Sequence, residues 1–125
     1  MKYVFVASTD SLDYHPSNVP HDFTVELPDT IVGKYSCALL DFFCLNITEE
    51  LYVFCDICEQ SYVKDHKLPL MRIITHTGEV TIPYYTPVTR RNIQRMRIYI
   101  RSKNLEVPDL DIGPVRCTIG LLPLK

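Results

Sequence analysis

Met96-Arg97-Ile98-Tyr99-Ile100-Arg101 alternates apolar and polar side chains over six consecutive residues. Successive Cβ atoms leave an extended strand on opposite sides, so a period of two marks a strand with one face in a core and one face in water. Met96, Ile98 and Ile100 therefore form a buried face, opposed by Arg97, Tyr99 and Arg101. The same pattern recurs in Phe23-Thr24-Val25-Glu26, where Phe23 and Val25 point one way and Thr24 and Glu26 the other.

Outward from these two segments, short apolar and β-branched runs are separated throughout by Pro, Gly, Asn and Asp. Strands are predicted at Lys2–Ser8, Asp22–Leu27, Lys34–Phe43, Leu51–Cys58, Leu68–Thr75, Glu79–Tyr85, Met96–Arg101 and Pro114–Leu122. About eight strands in a chain of 125 residues describe an all-β, single-domain antiparallel β-sandwich over residues 1–125, jelly-roll-like in strand number. With 46% hydrophobic residues and a net charge of −2, such a chain buries roughly two-thirds of its unfolded surface, so folding requires neither metal nor disulfide. No apolar run is long enough for a membrane-spanning helix, and a protein without a membrane span is expected.

Two segments, Ala38-Leu39-Leu40-Asp41-Phe42-Phe43 and Leu51-Tyr52-Val53-Phe54-Cys55, are apolar on both sides, as central strands or strands at a subunit contact would be. His76-Thr77-Gly78-Glu79 predicts a tight hairpin through a glycine able to take positive φ. Pro16, Pro20, Pro28, Pro87, Pro108 and Pro123 read as strand boundaries. One short helical turn is predicted at Thr89–Gln94, capped by Thr89.

The five cysteines, Cys37, Cys44, Cys55, Cys58 and Cys117, are odd in number, and no signal segment is recognisable at the amino terminus. A reducing compartment is the simpler expectation, with the cysteines as core thiols. Asn46-Ile47-Thr48 fits a glycosylation sequon, which matters only in a secreted chain. Cys55-Asp56-Ile57-Cys58 has the spacing of redox and zinc sites, but on an extended strand residues three apart face opposite sides, and no second such pair completes a tetrahedron. His15, His21, His66 and His76 lie in loop-like segments and form no paired-imidazole motif, so they read as exposed loop residues. No nucleophile elbow, phosphate loop or paired-carboxylate motif is present. The expectation is a protein that is not an enzyme and carries no cofactor.

Charge is divided unevenly along the chain. Residues 1–60 carry two basic against ten acidic side chains, a net −8, and residues 61–125 carry eleven basic against five acidic, a net +6. Such asymmetry suits contact between copies, or else the two halves interleave in the fold and cancel. The sharpest local feature is the run Arg90, Arg91, Arg95, Arg97, Arg101 and Lys103, with Tyr84, Tyr85 and Tyr99 nearby. Arginine is favoured at protein interfaces for bidentate carboxylate pairing, and arginine with tyrosine also suits nucleic acid. Arg90, Arg91, Arg95, Arg97, Arg101, Tyr84 and Tyr85 are therefore the candidate partner-binding residues. Carboxylates of a partner protein, a solvated face and nucleic acid are the three readings of the stripe.

The order of motifs along the chain adds a resemblance. Tyr14-His15-Pro16-Ser17-Asn18 leads into Asp22-Phe23-Thr24-Val25-Glu26-Leu27; Lys34–Phe43 follows, then Leu51-Tyr52-Val53-Phe54-Cys55-Asp56-Ile57 and Leu68-Pro69-Leu70-Met71-Arg72. Tyr85-Thr86-Pro87-Val88, Arg91, the Met96–Arg101 strand, Val107-Pro108 and Gly113-Pro114-Val115 close the series. In this order the chain resembles a small capsid-associated protein of Polinton/Maverick elements and adintovirus-like DNA viruses. It departs from that pattern at Gly113-Pro114, where a basic residue is expected after the glycine, and in its ending Leu121-Leu122-Pro123-Leu124.

The resemblance implies a virion structural protein of minor capsid type, at a vertex (penton), as cement, or as a fibre head, located in the virion and made in a reducing host compartment, cytoplasm or nucleus. Its partners would be the major capsid protein or sister subunits, in a homo-oligomer or larger assembly. If the arginine stripe meets neighbouring carboxylates, assembly weakens as salt rises. The alternative is a β-sandwich recognition module whose loops bind a receptor or nucleic acid. A β-barrel metalloenzyme is the remaining rival, tested by metal content.

Overall fold

The alternation read in Phe23–Glu26 and Met96–Arg101 is realised as strand. The computed structural model describes residues 1–108 and 111–124, and among them the chain forms eleven strands and no helix. They are β1 (Lys2–Ala7), β2 (Asp22–Val32), β3 (Tyr35–Phe43), β4 (Leu51–Cys55), β5 (Ser61–Val63), β6 (His66–Leu68), β7 (Leu70–Ile74), β8 (Gly78–Glu79), β9 (Thr86–Pro87), β10 (Asn92–Ser102) and β11 (Arg116–Pro123). No helix long and apolar enough to cross a membrane exists among the described residues.

Two antiparallel sheets face each other across one core. The first runs β1-β11-β3, with β8 and β9 pairing at opposite ends of β3; the second runs β2-β10-β4-β7. The pairing proceeds from the chain ends inward: β1 with β11, β2 with β10, β3 with β8 and β4 with β7. Val4, Val6, Leu39, Phe42, Cys117, Ile119 and Leu121 from the first sheet meet Phe23, Val25, Val53, Met96, Ile98 and Ile100 from the second. The buried face read from Met96, Ile98 and Ile100 is fully enclosed, as is that of Phe23 and Val25. The two segments apolar on both sides, in β3 and β4, are each flanked by strands on both edges.

Four local expectations are corrected. The strand predicted to end at Leu27 continues through Pro28 to Val32. Pro28 is tolerated because β2 is a sheet edge and because the β10 register skips from Arg95↔Glu26 to Ile93↔Ile31, leaving the proline outside the ladder. Gly78 does take positive φ (117°), but the turn is no hairpin: β7 before it belongs to the second sheet and β8, which Gly78 opens, to the first, so the turn is a corner between layers. Glu79–Tyr85 is not one strand, since after Val80 N donates to Leu40 O the chain is irregular until β9. Thr89–Gln94 makes no helical turn; Thr89 N donates to Ile57 O (2.9 Å), and Asn92 and Ile93 pair with Val32 and Ile31 as the start of β10.

The run Leu68–Thr75 is also divided, with Pro69 separating β6 from β7. The small β5–β6 hairpin, closed by Lys64 at φ 54°, stands outside both main sheets.

Candidate functional site

The outward face of the second sheet carries the arginine stripe, and strand register decides what those arginines meet. Arg95 lies directly opposite Glu26 across the β2–β10 pair, and Arg97 reaches diagonally to Asp22. Arg97 Nε donates to Asp22 Oδ1 at 3.0 Å and its terminal nitrogen to Oδ2 at 2.8 Å, a bidentate pair. Arg95 Nε donates to Glu26 Oε1 at 3.0 Å, and Arg90 donates to Asp56 Oδ2 at 3.0 Å. Arg101 donates to the His21 and Ile100 carbonyls and lies 3.9 Å from Asp22. The acidic first half and basic second half thus interleave and cancel at these positions.

Tyr99 anchors the stripe. Its ring stacks on Phe54 with centroids 4.8 Å apart, and the guanidinium groups of Arg97 and Arg101 lie 4.6 and 5.2 Å from its centre. The hydrogen bonds from Arg97 hold the Asp22 carboxyl below its ordinary range, and the same bonds raise the guanidinium. Burial raises the Tyr99 phenol against the opposing pull of the two arginines. The hydrogen bond with His15, whose Nε2 is 2.8 Å from Glu26 Oε1, and then Arg95 lower the Glu26 carboxyl. His15 is therefore hydrogen-bonded into this cluster and half-buried, which corrects its reading as an exposed loop residue. His21 is likewise half-buried, and His66 opens β6.

Among the predicted partner-binding residues, Arg90, Arg95, Arg97 and Arg101 are brought together, but on the chain's own acceptors. The Arg91 side chain is exposed and has no partner among the described residues; only its backbone carbonyl is used, accepting from Gly33 N. Tyr84 is exposed, and the half-buried Tyr85 places its hydroxyl 3.8 Å from Met1 Sδ. Two open clefts flank the stripe: one of about 840 Å³ between the 9–14 loop and Arg95, the other of about 630 Å³ between the β5–β6 hairpin, Arg97 and Tyr99. Among the described residues no group of three or more His, Cys, Asp or Glu side chains could hold a metal ion.

A second surface escaped the sequence reading. In β1, Val4 and Val6 turn into the core, so Tyr3 and Phe5 turn outward, 57% and 74% exposed. They sit opposite Gly120 and Thr118 of β11, beside outward Leu122 and Leu40. Gly120 leaves room for Leu40, whose Cδ1 would lie 2.9 Å from an added Cβ. Phe43 continues the face, covered by the Arg116 guanidinium at 4.6 Å. The available signal was Lys2-Tyr3-Val4-Phe5-Val6, apolar at both parities in a strand too short to be buried on both sides.

The sheet edges differ in the same sense. On β2, Asn18 Nδ2 donates to Thr24 O (2.9 Å), Thr24 N donates to Asn18 Oδ1 (3.0 Å), and Glu26 N donates to Ser11 Oγ (2.9 Å). Those bonds block the edge as a bound strand would. On β1, no described residue pairs with the side away from β11 at positions 2–6.

No protein-family model matches the chain, and no curated protein matches it.

Proposed function

We propose that the protein is a non-enzymatic virion structural subunit of minor capsid type that works through protein–protein contacts, with a second copy of itself seated on the outer face and free edge of the first sheet. The observation that carries this reading is the exposed Tyr3–Phe5 pair on an edge strand free on one side, while the opposite sheet has its β2 edge blocked and Arg95 and Arg97 engaged by its own carboxylates.

The area supports a sister copy as occupant. With aromatic side chains of about 150–250 Å² each, Tyr3 and Phe5 expose roughly 250 Å², and Leu122 and Leu40 bring the patch to about 350–400 Å². That is about half of the roughly 800 Å² per partner of a standard interface and within the range of the largest apolar patch on a folded monomer, so the pairing also draws on the backbone of the free β1 edge. A two-fold pairing of β1 with β1 would continue the sheet across both copies and cover the aromatic pair from each side.

The strand order supports a jelly-roll reading of the sandwich. Pairing from the ends inward, β1 with β11 through β4 with β7, is that of one long hairpin wound into two layers, with the β5–β6 hairpin and β9 as additions. The order of motifs shared with Polinton/Maverick and adintovirus-like capsid-associated proteins supports the virion role. The same role places the protein in the virion, after synthesis in a reducing host compartment.

The test is sedimentation velocity on the full chain beside a Phe5→Glu variant of unchanged melting temperature. Concentration-dependent dimers or larger rings lost in the variant are expected. A monomer at every concentration that is retained on heparin would sink the proposal in favour of a recognition module.

A further inference from the structure

The CxxC segment does not lie on an extended strand. After β4 ends at Cys55, Cys58 N donates back to Cys55 O at 3.0 Å, and this tight turn swings Cys58 toward the first sheet, where it bridges to Val88. Its Sγ comes to 3.0 Å from Sγ of Cys37, an inward residue of β3. The two sulfurs belong to opposite layers of the sandwich and are both buried. Thr86 Oγ1, 3.8 Å from Cys37 Sγ, is the polar neighbour.

We infer that Cys37 and Cys58 form a disulfide that joins the two sheets when the protein folds in the presence of a low-molecular-weight disulfide such as oxidised glutathione. The inference is independent of which partner the outer faces meet. One cysteine thiolate attacks the small disulfide and releases one small thiolate, giving a mixed disulfide. The second cysteine, as thiolate, attacks the protein sulfur and releases the other. Two S–H bonds of the protein and one S–S bond of the reagent are exchanged for one protein S–S bond and two small thiols, which take the two protons.

Timing follows from burial. The contact with Cys58 and then desolvation push the Cys37 thiol far up. The contact with Cys37 pulls Cys58 down, but Cys55 and burial outweigh it and leave that thiol raised as well. Both sulfurs are enclosed once the sheets close, so exchange with a small disulfide is faster during folding, before packing seals the pair, than in the native state. Once formed, it is shielded from reductant by the same packing.

The experiment is refolding of the full chain from denaturant in a glutathione redox buffer, followed by alkylation under denaturing conditions and peptide mapping. The expected result is a Cys37–Cys58 linked peptide pair, with Cys44, Cys55 and Cys117 alkylated. The oxidised form should melt roughly 5–15 °C above the reduced one, the range expected for closing a loop of about 20 residues. A Cys55→Ala variant should keep the link, and Cys37→Ala should lose it; if the latter fails to fold, the wild-type map alone decides. Alkylation of all five cysteines after oxidative refolding, or a Cys55–Cys58 link in place of the cross-sheet one, overturns the inference.

Discussion

Replacing Arg97 by Met and Asp22 by Asn, singly and together, measures whether the arginine stripe belongs to the fold or is held in reserve for a partner. The pair is bidentate at 2.8 and 3.0 Å, with side chains 46% and 31% exposed. Exposed ion pairs contribute about 0.2–1 kcal/mol, and a half-shielded bidentate pair belongs at the top of that range, about 1 kcal/mol. The guanidinium over Tyr99 adds about 0.5–1 kcal/mol, while methionine keeps much of the aliphatic stem on the ring. Arg97→Met should therefore cost about 1.5–2 kcal/mol, Asp22→Asn about 1, and the double-mutant cycle should return a coupling near 1 kcal/mol. Urea titrations at low and high salt supply the four free energies, and the coupling should shrink with salt. Arg91→Gln, at an arginine whose side chain has no partner among the described residues, should leave stability unchanged. A coupling below about 0.2 kcal/mol, with Arg97→Met as silent as Arg91→Gln, would refute the assignment of the stripe to the fold.

Acid should act through the same pair. Because Arg97 lowers the folded-state pKa of Asp22, the stabilisation is present above the ordinary aspartate value and is lost as pH falls through the lower folded value. Asp22→Asn should therefore flatten the acid limb of the stability profile below about pH 4, read by thermal melts across pH. Asn18→Ala removes two hydrogen bonds from the β2 edge at Thr24; a loss of about 1–2 kcal/mol and faster aggregation on heating are expected, followed by light scattering. Gly113→Ala places a methyl group at φ +69° and 2.6 Å from Leu45 Cβ, which should cost at least about 1–2 kcal/mol in urea.

The strands were legible wherever alternation was supported by one-sided burial, as in Met96–Arg101 and Phe23–Glu26. Where the chain turned between layers, sequence signals named the residue but not the geometry. Gly78 announces a turn, yet nothing local distinguishes a hairpin from a corner between sheets. The β5–β6 hairpin carries no glycine or asparagine at its tip; Lys64 takes the positive φ instead, so the usual signature is missing. Cys58 was misplaced because a three-residue step along a strand and around a β-turn look alike in sequence.

The candidate site shows the same division. That arginines crowd one strand face was readable, but the carboxylates that accept from Arg90, Arg95 and Arg97 lie 34 to 75 residues away and follow from strand register, which no local pattern specifies. Tyr3 and Phe5 were hidden for the opposite reason. Their strand was recognised, and only its place at a sheet edge makes the outward aromatic pair conspicuous.

Salt dependence of self-association tests the central claim most directly, because the apolar face and the arginine stripe respond in opposite ways. Sedimentation of the wild-type chain in low and high sodium chloride should show association that persists or tightens as salt rises and disappears in Phe5→Glu. Association that falls steeply with salt, and is abolished by Arg91→Glu with Arg97→Glu but not by Phe5→Glu, would contradict it.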